Sequence, residues 1–107
     1  MLSKIKKAFF HRNEVGICSI CDQNFSENKL FEIDDLFLCK NDFKFYKNHS
    51  WKISETGKSS PNNPEQALYI QNKKDHFKEL GIKSFIKVHY ERVDNEIITS
   101  FFLYTSY

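Results

Sequence analysis

Three cysteines and a nearby aspartate are the residues of this chain best suited to chemistry. Two residues separate Cys18 from Cys21 in the stretch CSICDQNF, and two residues separate Cys39 from Asp42 in LCKND. A redox dithiol needs only one such cysteine pair. Tetrahedral zinc needs four donors, which proteins commonly supply as two pairs that are distant in sequence. The second pair therefore favours zinc binding over redox chemistry.

Short strands and tight turns are predicted around these residues, because apolar segments of a few residues alternate with Asp and Asn clusters. The expected elements are a strand from Val15 to Cys18, a return strand from Asn24 to Phe31, a turn at Asp34-Asp35, a strand from Leu36 to Cys39, and a helix from Asn41 to Asn48. A turn bearing cysteines, a hairpin and a short helix in this order are typical of a metal finger.

The two motifs resemble those of a known family. CSIC followed by LFLCKNDF resembles a treble-clef zinc finger of the LIM type, in which a CxxC knuckle is joined by a CxxC, CxxH or CxxD pair at the start of a short helix. The resemblance covers residues 15–50 and implies Cys18, Cys21, Cys39 and Asp42 as zinc ligands. A LIM domain contains two consecutive zinc modules, whereas this chain supplies one. The resemblance therefore implies the finger geometry and not the partners of LIM proteins.

The fourth ligand stays open at this point. His49 is the rival of Asp42, because imidazole is a better zinc donor than a lone carboxylate. His11 is a more distant candidate. Asp42 could instead stabilise the N-terminus of the helix, where a negative charge interacts favourably with the helix dipole. If side chains fill all four positions, no position remains for a catalytic water and the zinc is structural.

A thiol redox protein is a further alternative for Cys18 and Cys21. Reactive CxxC pairs stand at the N-terminus of a helix, but here the pair precedes Asp22 and a hairpin signal. A nearby acid also raises the pKa of a thiol rather than lowering it. The histidines form no HxxxH or HExxH motif, and the glycines are too scattered for a phosphate loop. We therefore expect no enzyme.

Composition limits the class of protein. The chain has 107 residues, of which 40% are hydrophobic and 16% aromatic, and this predicts a packed domain rather than a disordered chain. The cysteine count is odd, no apolar leader opens the sequence, and no apolar run is long enough to cross a bilayer. We therefore expect a cytoplasmic protein with reduced thiols and no membrane span.

Charge is distributed unevenly although the net charge is only +2 at pH 7. This balance argues against a strong general attraction to phosphates. Segment 40–52 nevertheless interleaves lysines with aromatic residues, namely Lys40, Lys44, Lys47 and Lys52 with Phe43, Phe45, Tyr46 and Trp51. Such a surface could stack bases and contact phosphates, unless the aromatic rings are buried in the core. A nucleic-acid-binding zinc finger is therefore an alternative function.

Residues 1–14 form a basic N-terminal segment. Leu2, Ile5 and Phe9 stand at helical spacing with lysines between them. The spacing predicts a short helix or arm that packs on its own domain, and weak attachment to a membrane surface is the alternative.

Residues 51–107 are expected to form an α+β module. After the loop of residues 55–64, Asn63 can cap a helix that begins at Pro64 and ends before Gly81. The predicted strands are Trp51–Ser54, Ile82–Val93 and Ile97–Thr105. A helix covering one face of an antiparallel sheet follows from this order. This module also resembles small bacterial domains described as signal-transducing, in the stretches NNPEQAL and FKELGIKSFI. The resemblance implies a similar fold and no function.

The sequence therefore predicts an α+β, zinc-stabilised binding protein without catalysis. Its expected partner is another protein or a second copy of the chain. The expected contact surface is the C-terminal sheet or its terminal edge strand, because aromatic residues are dense there. They are Phe101, Phe102, Tyr104 and Tyr107.

Overall fold

The computed structural model describes residues 15–60 and 63–106. This part of the chain contains two α-helices and three antiparallel sheets, which confirms the α+β class. It divides into two compact units, the first ending at Asn48 and the second beginning at His49. The helix or arm predicted for residues 1–14, together with His11 and Tyr107, lies outside the described residues.

The first unit consists of two small hairpins followed by a helix. Strand β1 pairs with β2, and β3 pairs with β4. Helix α1 packs against β3 and β4. The elements are β1 (Val15–Ile17), β2 (Asn24–Ser26), a 3₁₀ turn (Glu27–Lys29), β3 (Leu30–Ile33), β4 (Leu36–Cys39) and α1 (Lys40–Asn48).

The single strand predicted from Asn24 to Phe31 is wrong. The chain forms β2, then the 3₁₀ turn, then β3. The two strands pair with different partners, so the backbone has to change direction between them. The 3₁₀ turn provides this change, and the Leu30 N–H donates to the Glu27 carbonyl where the turn ends.

Two predicted turns are confirmed, and both use residues that tolerate left-handed backbone. Asp34 and Asp35 have φ values of 51° and 65°, and Asp94 and Asn95 have 49° and 66°. Positive φ at both central residues defines the type I′ turn, whose twist matches that of the flanking strands. Asp and Asn adopt this conformation more readily than other non-glycine residues. Local chemistry therefore sets the register of both hairpins.

The second unit is a three-stranded sheet with a helix. Its elements are β5 (Trp51–Ser59), α2 (Glu65–Glu79), β6 (Ser84–Val93) and β7 (Glu96–Ser106), and α2 packs against all three strands. The strand order is β5-β7-β6, so the last strand of the chain is the central one. The prediction that it forms an edge is therefore wrong. β7 uses its hydrogen-bonding groups on both sides, which leaves them unable to pair with a partner.

Strand β5 is longer than predicted. Residues Glu55 to Ser59 were expected in a loop but pair with β7 after a register shift between Ile53 and Glu55. Gly57 explains how α2 approaches this extension, since a Cβ there would lie 2.8 Å from Gln66 Oε1 and 3.3 Å from Ile70 Cγ1. The absence of a side chain allows the close packing of helix on strand.

The start of α2 differs from the prediction, whereas its end agrees. Pro64 occupies the N-cap position without a side-chain hydrogen bond, so the cap predicted at Asn63 is wrong. Gly81 has a φ of 77°. Its N–H donates to the Lys78 carbonyl, and the Ile82 N–H donates to the Phe77 carbonyl, the two bonds of a Schellman motif. Neither described helix is long and apolar enough to cross a membrane.

Candidate metal centre

Four potential metal donors converge in the first unit. One ligand atom from each of Cys18, Cys21, Cys39 and Asp42 lies within 4.8 Å of the other three. Cys18, Cys39 and Asp42 are buried and Cys21 is half-buried. All three cysteines are free thiols. The two motifs separated in sequence therefore meet at one place, and the cluster could hold a metal ion.

The first pair lies in the turn between β1 and β2. The Cys18 N–H donates to the Gln23 carbonyl over 3.0 Å, and the Asp22 N–H donates to the Cys18 carbonyl over 2.9 Å. Asp22 has a φ of 63°, which reverses the chain directly after Cys21. These bonds close a tight loop that presents both sulfurs on the same side.

The second pair lies where β4 meets α1. Cys39 is the last residue of β4, and Asp42 lies in the first turn of the helix. Buried Leu36 and Leu38 anchor the strand. The Ser19 N–H donates to the Phe37 carbonyl over 2.8 Å, which ties the cysteine turn to β4. Backbone contacts therefore position the two pairs relative to each other.

Each sulfur accepts a hydrogen bond from the backbone. The Cys39 N–H lies 3.4 Å from Cys18 Sγ. Backbone groups of Gln23 and Asp42 hydrogen-bond to the thiols of Cys21 and Cys39, respectively. Such bonds stabilise the thiolate form, which is the form that binds a metal.

Asp42 brings a carboxylate into contact with two of the thiols. Its Oδ2 lies 3.3 Å from Cys18 Sγ and 3.4 Å from Cys39 Sγ, and the residue is only 1% exposed. Burying a carboxylate is costly unless a positive charge or hydrogen bonds compensate. In the metal-free cluster the Cys18 and Cys39 thiols donate hydrogen bonds to this carboxylate, and a divalent cation bound between the four donors would replace those protons.

Two distances in the cluster can be compared with those of a tetrahedral zinc site. Bond lengths of about 2.3 Å to sulfur and about 2.1 Å to oxygen in a tetrahedron place two ligand sulfurs about 3.8 Å apart, and a sulfur and an oxygen about 3.6 Å apart. The two Asp42 contacts, 3.3 and 3.4 Å, lie close to that edge length. These two contacts fit a tetrahedral ion with thiolate and carboxylate ligands, whereas the four donor atoms together span up to 4.8 Å.

Two thiols of the metal-free cluster have raised pKa values. Burial raises the pKa of Cys21 from 9.0 to about 12, and neighbouring Cys18 and Cys39 add to this effect. Burial likewise raises the pKa of Cys39, with contributions from Cys18 and from the Asp42 carboxylate. Without a cation, several anionic groups in one place repel each other, so the protonated forms are favoured.

The alternative fourth ligand is not part of this group. His49 is exposed and follows α1 as the first residue of the second unit. Within residues 15–60 and 63–106, the group of potential donors contains Asp42 and no histidine. The structure thus brings together the four residues predicted as metal donors.

The lysines predicted to contact nucleic acid divide between the two units. Lys40, Lys44 and Lys47 are exposed on α1, where intervals of four and three residues place them on one face. Lys52 is exposed on β5 of the second unit. Sequence reasoning missed Phe31, whose ring stacks on Phe43 beside the three helical lysines. The two-residue turn at Asp34-Asp35 predicts which residues of β3 and β4 share a face, but the contact of Phe31 with Phe43 depends on how α1 packs.

Comparison with known proteins finds no match to a protein-family model, to a curated protein or to a solved structure. The site is therefore interpreted from its own geometry.

Proposed function

We propose that this chain is a non-catalytic binding protein whose first unit is a treble-clef zinc finger. The observation that carries the proposal is the convergence of Cys18, Cys21, Cys39 and Asp42 within 4.8 Å. The order of elements also supports it. A cysteine-bearing turn between β1 and β2 precedes the β3–β4 hairpin, and the second ligand pair begins a helix.

The zinc in this proposal is structural. Protein side chains fill all four tetrahedral positions, so none remains for a water or substrate. The first unit also has a small apolar core, formed in the described residues by Cys18, Ile20, Leu36, Leu38 and Cys39. A structural zinc ion contributes on the order of 10 kcal/mol to the folding of small domains. The metal would therefore take over part of the role of a larger core.

Thiol redox chemistry receives less support from the geometry. The turn that holds Cys18 and Cys21 connects two strands, whereas reactive pairs use a helix N-terminus to stabilise the thiolate. The raised pKa of Cys21, about 12, also disfavours a thiolate nucleophile in the metal-free state.

Two kinds of partner are compatible with a binding role. A protein partner could add a strand to the second unit, where β5 and β6 are the outer strands of the described sheet. A nucleic acid could use the basic face of α1. The second alternative has a specific structural feature in its favour, a lysine-rich groove on α1.

Metal analysis tests the zinc proposal directly. The purified chain should contain one zinc per molecule, measured by elemental analysis after removal of loosely bound ions. Cys39→Ser should lower this content well below one, because it replaces a buried thiolate ligand. Equal zinc content in both proteins, or none in either, would refute the proposal.

A further inference from the structure

A basic groove with an aromatic wall is lined by residues of α1 and by Phe31 of β3. Its volume is about 300 Å³, and it is lined by Phe31, Phe43, Lys40, Lys44, Lys47 and Asn48. None of these lining residues is acidic. The neighbouring carboxylate of Asp34, in the β3–β4 turn, accepts a hydrogen bond from Tyr46 over 2.6 Å. Asp34 keeps its negative charge in this bond, and the lining residues themselves carry three positive charges beside apolar surface.

The aromatic wall is preorganised. The rings of Phe31 and Phe43 stack with centroids 4.8 Å apart and planes 20° apart. Phe31 is 41% exposed, although it is a large apolar residue on a short strand. The Lys47 Nζ lies 5.1 Å from the Phe43 ring centroid, within the range of a cation–π contact. A flat ring entering the groove would meet an aromatic surface next to an ammonium group.

The three lysines that line the groove are spaced along the helix. Lys40 and Lys44 are separated by about one helical turn, and Lys47 lies almost one turn further. All three are exposed. A ligand with several negative charges along an extended backbone could contact them together, whereas a single small anion could not.

We propose that this groove binds single-stranded nucleic acid, with one base stacked beside Phe31 and with Lys40, Lys44 and Lys47 contacting phosphates. Single strands are recognised by this combination of aromatic stacking and positive charge. In a duplex the base faces are already stacked on each other, so the aromatic wall would have no base to receive. An acidic peptide would satisfy the lysines but would leave the exposed ring without a planar partner.

This inference rests on the proposed function in one respect. Cys39 and Asp42 anchor the start of α1, so loss of zinc would also disturb the groove. Zinc content therefore has to be measured on every variant. A variant that keeps one zinc and loses nucleic-acid binding reports on the groove alone.

The test is fluorescence anisotropy of the full chain with labelled oligo-dT and oligo-U of about ten nucleotides. Three lysine contacts to a single strand predict a slope of about −2 for the logarithm of the binding constant against the logarithm of the salt concentration. The same sequence as a duplex should bind more weakly. Equal binding of duplex, of single strand and of heparin would overturn the stacking assignment.

Substitutions separate stacking from charge. Phe31→Ala should weaken single-strand binding about 5- to 150-fold, the range expected for loss of one stacked base, whereas Phe31→Tyr should retain it. Lys44→Gln should make the salt slope shallower by about 0.7, and the matched control Lys58→Gln on β5 should not. Unchanged binding in Phe31→Ala and Lys44→Gln would overturn the proposal.

The outcomes distinguish the two proposals. A chain with one zinc that binds no oligonucleotide at low salt would refute the groove and leave the zinc finger standing. A chain without zinc that binds single strands through Phe31 and Lys44 would refute the zinc site and leave the groove standing.

Discussion

Cys18 and Asp42, separated by 24 positions in the chain, contact each other in the buried interior of the first unit, with Sγ and Oδ2 3.3 Å apart. The contact joins the turn between β1 and β2 to the first turn of α1. In the metal-free cluster the Cys18 thiol donates a hydrogen bond to the Asp42 carboxylate. In the zinc-bound form proposed above, the cation would take the place of this proton between the two groups.

Asp42→Asn should weaken zinc binding at least tenfold, because an amide is a poorer zinc ligand than a carboxylate. Competition with a chromophoric chelator measures the change. Asp75→Asn is a matched control, because it makes the same chemical change at an exposed position on α2 in the second unit. Equal affinities of Asp42→Asn and the unsubstituted chain would exclude Asp42 as a ligand.

His49→Gln should leave the zinc content and affinity unchanged. The side chain is exposed and does not belong to the cluster of four donors. Elemental analysis and chelator competition on this variant check the expectation. If His49→Gln lost zinc and Asp42→Asn retained it, His49 and not Asp42 would be the fourth ligand.

Removal of zinc by a chelator should unfold the first unit before the second. The second unit has its own core, including Ile70, Phe85 and Leu103, whereas the first depends on the metal in our proposal. Amide hydrogen exchange should accelerate across residues 15–48 and change little in the β7 strand. The result contradicts the proposal if residues 15–48 keep their protection after the metal is removed.

Gly81→Ala should destabilise the second unit by about 1 kcal/mol, because Gly81 has a φ of 77° and a Cβ in left-handed backbone is strained. Apart from its two chain neighbours, no atom of the described residues lies within 4 Å of the position that this Cβ would take, so the strain would come from the local backbone and not from packing. Urea unfolding provides the measurement.

Gly81→Asn is the matched variant for that experiment. Asn tolerates left-handed backbone better than Ala, so it should cost less. If the two variants are equally destabilised, strain at this φ is not the cause.

Local features of the fold could be predicted from the sequence. The turns at Asp34-Asp35 and Asp94-Asn95 and the helix end at Gly81 depend on residues whose own backbone preferences select the conformation. The candidate metal donors could be proposed for a similar reason, since the type and spacing of Cys18, Cys21, Cys39 and Asp42 already suit a tetrahedral ion.

Non-local features could not be predicted in this way. Residues Asn24 to Phe31 look like one strand, but they divide because β2 and β3 pair with different partners. Residues after Ser54 look like a loop, but they extend β5 because β7 offers hydrogen bonds along its whole length. The position of β7 at the centre of the sheet is also non-local. Strand order depends on which strands come to lie side by side after the chain has folded back.

The sequence by itself determined which residues can act as metal donors and which can turn or end an element, because these are properties of single residues and short spacings. Only the tertiary structure decided that the four donors meet, that Asp42 rather than His49 joins the three cysteines, and that Phe31 lies on Phe43 beside three lysines. These relationships depend on strand register and helix packing, which bring together side chains that are distant in the sequence.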